Sequence, residues 1–213
     1  MTGQDQVSSS RVTRLILVRH GQTACNVADI WHGWDDCELT ETGLSQAQAV
    51  GERLAGESVA AVYSSDSPRA LQTARAIAGY HDLEPVPLPA LRERHAGEYE
   101  GISIPDIVNR NPRIWEERNA DYWNWSPPGG ERISCVLERA LGAVRDMQAQ
   151  HPGETVVAVS HMSTVRALIS RLAGIPILDT LQLQFPSTGL TIFRLEGEEA
   201  KVELLNDGTH LDV

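Results

Sequence analysis

Three short apolar runs in this 213-residue chain stop on residues that a buried strand has no use for. Residues 15–18, LILV, run into Arg19 and His20. Residues 59–63, VAAVY, run into Ser64 and Ser65, with Arg69 close behind, and residues 156–159, VVAV, run into Ser160 and His161. The runs are rich in Val, Ile and Leu without polar alternation, as strands covered on both faces tend to be. In open α/β sheets ligands bind beyond the carboxyl ends of the strands, so neighbouring runs would gather two arginines and two histidines at one sheet end. Two guanidinium forks can hold the non-bridging oxygens of a phosphoryl group, and a helix starting near Ser67 adds a favourable dipole. A neutral imidazole can attack phosphorus, dividing one hard displacement into two easier ones through a phosphohistidine. His20 and His161 are both candidates, and a general acid is needed beside them because an alkoxide leaves poorly without a proton.

Taken singly, these residues carry little. A lone His after a strand is more often a satisfied loop residue, and a lone Arg in a first helical turn is usually a surface charge. It is the joint placement that argues for a site. His32, His81, His151 and His210 have no such support and are read as surface or loop residues.

The elements that must position the set alternate between strand and helix. In LTETGLSQAQAVGERLAG, Thr40 can cap a helix, Leu44, Ala47, Val50 and Leu54 share a face, and Gly56 can stop it. In DSPRALQTARAIAGY, Asp66 or Ser67 can cap, Pro68 suits the first turn, and Ala70, Leu71, Ala74 and Ile77 form the buried stripe. ERISCVLERALGAVRDMQAQ reads as a long amphipathic helix and STVRALISRLAG as a shorter one stopped by Gly174. LTIFRLEG and AKVELLNDG read as a hairpin at the sheet edge, turning around residues 196–199. Residues 102–131 differ, with Trp115, Trp123 and Trp125 close together, as in an aromatic subdomain packed onto the main sheet. The expected fold is α/β: a three-layer α/β/α sandwich with a mostly parallel central sheet and a small helical, aromatic cap insertion at about 102–131. Residues 1–13 are expected to be a flexible tail, and 14–213 a single domain.

Composition bounds the partners. Lys and Arg total 18 against 29 Asp and Glu, a formal net charge of −11, which argues against nucleic-acid binding. An anionic substrate must therefore be captured by a few locally placed arginines. Cys25, Cys37 and Cys135 are odd in number and widely spaced, which reads as free thiols in a reducing compartment. The polar N-terminus and the absence of a long apolar run point away from a membrane and towards the cytoplasm.

Four segments carry a resemblance. LVRHGQTACN resembles the RHGxTxxN signature of the histidine phosphatase superfamily, the phosphoglycerate-mutase-like proteins. SSDSPRALQTA is similar to its second arginine motif, LRERHAGEYEG to its acidic loop, and VAVSHMSTVRAL to its second-histidine strand. They occur in the family's order over residues 15–168. The resemblance implies that His20 is the nucleophile, that Arg19, Arg69 and His161 line the phosphate pocket, and that Gln22, Thr23 and Asn26 add polar contacts. It also implies that Glu93 protonates the leaving oxygen and then activates water. His95 follows two residues later, on the same side if the loop is extended. Met162 stands where the family often has glycine, which keeps the backbone N–H near the phosphate but makes the mouth bulkier.

The expected activity is hydrolysis of a small phosphorylated metabolite with no metal or cofactor, the arginines supplying the positive charge. HGWDDCELTETG and ERHAG resemble mutase segments, so phosphoglycerate mutase-type transfer is the alternative. Against it, HMSTVR replaces a HGNSLR-like sequence, and NRNPRIWEERNADYWNW offers no match to the mutases' basic insertion. The leaving group is accordingly expected to be partly apolar or hydroxylated, with Trp31, Trp34, Tyr99, Trp115, Trp123 and Trp125 as candidate cap residues. A non-catalytic binding module is disfavoured because Arg19, His20, Arg69, Glu93 and His161 are all present. A homodimer is a possible assembly.

Overall fold

A computed structural model describes residues 12–211. Strand β1 (Thr13–Arg19) leads into a single helical turn, α1 (Ala24–Val27), the short strand β2 (Ile30–Trp31) and helix α2 (Glu41–Leu54). Then come β3 (Val59–Ser64), α3 (Pro68–Ala78), β4 (Val86–Pro87) and β5 (Ile102–Ser103). Helices α4 (Ile104–Arg110), α5 (Ile114–Ala120) and α6 (Ile133–Gln150) precede β6 (Thr155–Ser160), α7 (Met162–Ala173), β7 (Leu190–Glu196) and β8 (Glu199–Asp207).

The main sheet runs β4-β3-β6-β1-β7-β8. The first four strands are parallel, and β7 and β8 form the antiparallel edge hairpin. Residue types explain the layering. Along β1, Leu15 and Leu17 face α6 and α7 in a cluster with Val144, Met147, Val165, Leu168 and Phe193. Ile16 and Val18 face α2 and α3, packing with Val50, Leu54, Ala74 and Ile77. A strand apolar on both sides needs cover on both, which gives three layers. Each of these side chains contributes about 1.5–3 kcal/mol by burial, so the strand that carries Arg19 and His20 is firmly fixed.

Register then places the site. Arg19 pairs with Ser160 and Ser64 with Val159, so β1, β3 and β6 finish level with one another. His20 and His161 each lie one residue beyond neighbouring strand ends.

Two expected helix details differ. Leu44 is exposed, and α2 turns Gly43, Ala47, Val50, Gly51 and Leu54 inward instead. The reason is contact at Gly21, where a Cβ would meet the Gly43 carbonyl oxygen at 2.5 Å. The backbone of α2 lies directly on the turn after His20, and only glycine on each side allows that approach. Leu71 is half-buried, and the tight face of α3 is Arg69, Ala70, Thr73, Ala74, Ile77 and Ala78. Gly174 does end α7, at φ 68°.

The aromatic insertion is tied down by a two-strand ribbon in which Trp31 of β2 pairs with Ile102 of β5. The Trp31 ring lies 5.8 Å from Tyr99, 6.2 Å from Trp115 and 6.5 Å from Trp125, centroid to centroid. Trp31 of β2 thus gathers Tyr99 and two tryptophans of the insertion.

The cysteine reading is corrected. Cys25 and Cys37 are disulfide-bonded, and only Cys135 is free. The bridge between Thr23 and Leu39 brings the two segments together, a proximity made by the fold and not by a CxxC spacing. The tail expected over 1–13 lies, up to residue 11, outside the described residues, and Thr13 is already a buried member of β1. Among the described residues no helix is long and apolar enough to cross a membrane.

Candidate active site

The loop from β1 into α1 carries the first group. His20 is 3% exposed, and its Nδ1 lies 2.7 Å from the Gly21 carbonyl oxygen. A carbonyl can only accept, so Nδ1 carries the proton and Nε2 keeps its lone pair. Burial holds the His20 pKa well below the usual imidazole value, and the cations of Arg19 and Arg69 push the same way. The ring is neutral at pH 7 with a free nitrogen, as a nucleophile requires.

Arg19 donates through Nη1 to the Phe185 carbonyl, while its Nε is buried without a partner. Burial lowers its pKa to about 10. Arg69, on the inward face of α3, is 1% exposed. Its Nη2 donates to the Gly33 carbonyl at 2.7 Å and its Nη1 to that of Asp35 at 3.0 Å, again leaving Nε unpaired. The fork is oriented by backbone, which cannot move without unfolding the loop.

His161 stands at the N-cap of α7, its ring centroid 5.0 Å from that of His20. Its Nε2 lies 3.2 Å from Ser67 Oγ, and its Nδ1 is buried without a partner. Burial, then the Arg69 cation, hold it well below the ordinary pKa. Ser67 occupies the N-cap of α3 but makes no capping bond; its hydroxyl is shared between Ser65 and His161. Asp66, the other expected cap, pairs with Arg92 at 2.6 Å.

Glu93 enters from the loop before β5 and is 9% exposed. Its Oε1 accepts from the Arg94 N–H at 2.7 Å and its Oε2 from the Ser163 N–H at 3.1 Å, in the first turn of α7. Arg139 of α6 secures this loop by donating to the carbonyls of Ala90, Arg92 and Glu93 at 2.7–2.9 Å. The same guanidinium binds the Glu131 carboxylate, 2.9 Å from Nε to Oε1.

A cavity of about 220 Å³ is lined among others by Arg19, His20, Asn26, Glu93 and Met162, whereas Arg69 and His161 are fully buried and do not line it. Gln22 and Thr23 do not line it. The Gln22 Oε1 accepts from Thr40 Oγ1 at the start of α2, and Thr23 caps α1 by accepting from the Asn26 N–H. His95 stacks edge-on against Trp34 outside the cavity. Of the candidate cap aromatics, Trp31 and Trp115 line it, whereas Trp34, Tyr99, Trp123 and Trp125 do not.

Several lining residues were not singled out from sequence: His32, Arg94, Arg118, Tyr122, Ser163 and Arg166. His32, expected at the surface, is 9% exposed and lies 6.3 Å from the His20 ring, with its Nε2 3.2 Å from Thr23 Oγ1. His210 is likewise buried, its Nε2 3.0 Å from Thr188 Oγ1, and His151 contacts Tyr63 Oη at 2.8 Å. Three of these lining residues are arginines. They come from the acidic loop, α5 and α7, so a search for one basic insertion could not find them. Trp115 and Arg118 stand at i and i+3 on α5, a spacing that was a readable signal, and Tyr122 lies just beyond the helix end.

Among the described residues no group of three or more His, Cys, Asp or Glu is arranged to hold a metal ion. What the cavity offers is a neutral nitrogen nucleophile, the Arg19 guanidinium and a carboxyl group, with Arg69 and His161 buried close to His20, a set suited to holding and displacing a phosphoryl group.

Comparison with known proteins agrees. The description "Histidine phosphatase superfamily (branch 1)" matches residues 15–208. A metal-independent phosphoserine phosphatase of Arabidopsis thaliana is 35% identical, over 79% of this chain and 72% of its own length. A 2,3-bisphosphoglycerate-dependent phosphoglycerate mutase of Brucella anthropi is 32% identical, over 86% of this chain and 93% of its own. The solved structure of Bacillus stearothermophilus YhfR superposes with a TM-score of 0.85 at 34% identity, covering 93% of this chain and 99% of that one. The phosphatase-named relatives make this chain a phosphomonoester hydrolase, and the chain belongs to branch 1 of the histidine phosphatase superfamily.

Proposed function

We propose that the protein is a metal-independent phosphomonoesterase acting on a small phosphorylated metabolite through a phosphohistidine at His20. The ester phosphate sits between Arg19, Arg69 and His161, whose unpaired polar atoms take its oxygens. His20 Nε2 attacks phosphorus in line with the leaving oxygen, and the N–P bond forms as the P–O bond breaks. Glu93 gives its proton to that oxygen, then takes one from the water that attacks the phosphohistidine, which frees orthophosphate and restores His20. The Met162 N–H, in the first turn of α7, points a helix N-terminus at the same anion.

The observation that carries this reading is the His20 tautomer fixed by the Gly21 carbonyl, which leaves Nε2 unprotonated in a pocket of arginines. A phosphoglycerate mutase would use the same nucleophile and return the phosphoryl group to the bound intermediate. The deciding experiment offers the protein an aryl phosphate and, separately, 3-phosphoglycerate. Phosphate release is expected from both, and isomerisation without release would favour the mutase. His20→Ala should abolish turnover and covalent labelling by ³²P-ester together, whereas EDTA should leave the rate unchanged. Turnover by the alanine variant would move the nucleophile elsewhere.

A further inference from the structure

The turn that orients Arg69 and the loop that carries Glu93 are joined by one carboxylate. Glu100 Oε2 accepts from the Gly33 N–H at 2.8 Å and the Asp35 N–H at 3.4 Å. Its Oε1 accepts from the Trp34 N–H at 3.1 Å and the Ala96 N–H at 2.7 Å. Four main-chain donors thus converge on one half-buried side chain, three from the turn and one from the acidic loop. Local structure brings it there. Gly97–Tyr99 form a single helical turn, entered at φ 59° by Gly97, which folds residue 100 back onto the N–H of residue 96. A Cβ on Gly97 would overlap the Pro128 carbonyl, so this turn has little room to change.

Both ends of the junction lead to reacting groups. The carbonyls of Gly33 and Asp35 are the acceptors that aim the Arg69 fork, so residues that donate to Glu100 through N–H hold Arg69 through C=O. Glu93 lies three residues before Ala96, and its own carbonyl accepts from Trp34 Nε1 at 2.9 Å. The two segments are in backbone contact, since a Cβ on Gly33 would overlap the Arg94 carbonyl. Burial lowers the Arg69 pKa, and the carboxylates of Glu93, Asp36, Glu100 and Asp35 oppose it, in that order, which puts Glu100 within electrostatic reach of the clamp. Glu100 itself does not line the cavity. An ionised carboxylate is acceptor-only with about four lone-pair sites, which matches four converging N–H groups; an amide offers one acceptor oxygen and turns donors towards the rest. Water could solvate those N–H groups singly, but it would not tie one segment to the other.

We propose that Glu100 is a positioning residue that couples the phosphate clamp to the general acid, locking the turn at residues 33–35 against the acidic loop so that one contact sets both Arg69 and Glu93. The proposal rests on the phosphomonoesterase reading and deepens it with a residue that touches no substrate.

The test compares the wild-type chain with Glu100→Gln and Glu100→Ala. Calorimetry with orthophosphate reads the clamp. The kcat/KM values for phenyl phosphate and 4-nitrophenyl phosphate read the general acid, because phenolate is the poorer leaving group and gains more from a proton. Glu100→Gln should weaken orthophosphate binding about tenfold and should lower kcat/KM about tenfold more for the phenyl than for the nitrophenyl ester. Glu100→Ala should show both effects more strongly, and Glu100→Gln alone decides if the alanine chain does not fold. A side chain that only holds the fold would lower Tm yet leave the orthophosphate Kd and the ratio of the two esters at wild-type values, and that result overturns the proposal. A loss in only one of the two readouts would show that clamp and acid are not coupled and overturns it too. A wild-type chain that releases no phosphate from either ester would refute the phosphatase reading instead, and the orthophosphate Kd then decides the role of Glu100: weakened in Glu100→Gln it stands, unchanged it falls.

Discussion

Whether His20 can attack phosphorus is decided by which nitrogen holds its proton, and the Gly21 carbonyl makes that choice. A comparable decision is taken for Glu93 by a residue that touches no substrate. Arg139 holds the chain leading into Glu93 by the carbonyls of Ala90, Arg92 and Glu93 and anchors itself on Glu131. Lysine keeps the charge but cannot reach all of these acceptors from one planar group. Arg139→Lys is expected to lower kcat about 10- to 100-fold with a much smaller change in KM, since Glu93 moves and the phosphate clamp does not. An aryl phosphate whose leaving group needs no proton should be spared most of that loss, which a loss of stability alone would not produce. Arg19, His20, Arg69 and His161 were legible in the sequence because each breaks an apolar pattern at a strand end or a helix start. Arg139 was not, because an arginine on an amphipathic helix is indistinguishable there from an ordinary solvated charge.

At the scale of elements, strands and helices were readable from periodicity, and the contacts between loops were not. Leu44 satisfied the helical spacing, yet the close approach of Gly21 and Gly43 rotated the face of α2 away from it. The Cys25–Cys37 bond was hidden in the same way, since only the folded path of the loop brings those residues together. That loop carries Asn26, Trp31 and His32 into the cavity and supplies the carbonyls that orient Arg69. Closing a loop of this size is worth about 3 kcal/mol in the chain-entropy account, or about 6–12 °C in Tm for a protein this large. Addition of a dithiol reductant should therefore lower Tm and raise KM, whereas a Cys25→Ser chain should melt lower from the start and ignore the reductant. Identical melting of the wild type with and without reductant would show that the bond contributes nothing to stability.

The whole molecule carries a pH dependence that its net charge alone would not predict. His20 and His161 are buried with folded pKa values well below 6.5, and His32 and His210 are shifted downward by burial too. Between those lowered values and 6.5 the unfolded chain binds more protons than the folded one, so stability falls as pH falls through that window. The formal charge of −11 pulls the other way, because acidification relieves repulsion among the carboxylates. Tm followed from pH 7.5 to 5 is expected to decline from about 6.5 downward, with saturating orthophosphate restoring part of the loss. A flat or rising Tm would mean that relief of charge repulsion matches or exceeds the cost of protonating the buried histidines.

In the phosphate pocket, Nε of Arg19, Nε of Arg69 and Nδ1 of His161 are buried and unpaired. An unmet polar atom gains by whatever oxygen reaches it, and these three do not distinguish the ester from the free anion. The grip that recruits substrate is therefore also a grip on waste. On the proposed mechanism, orthophosphate that accumulates is expected to compete with the ester for the same berth, seen as competitive product inhibition in initial rates.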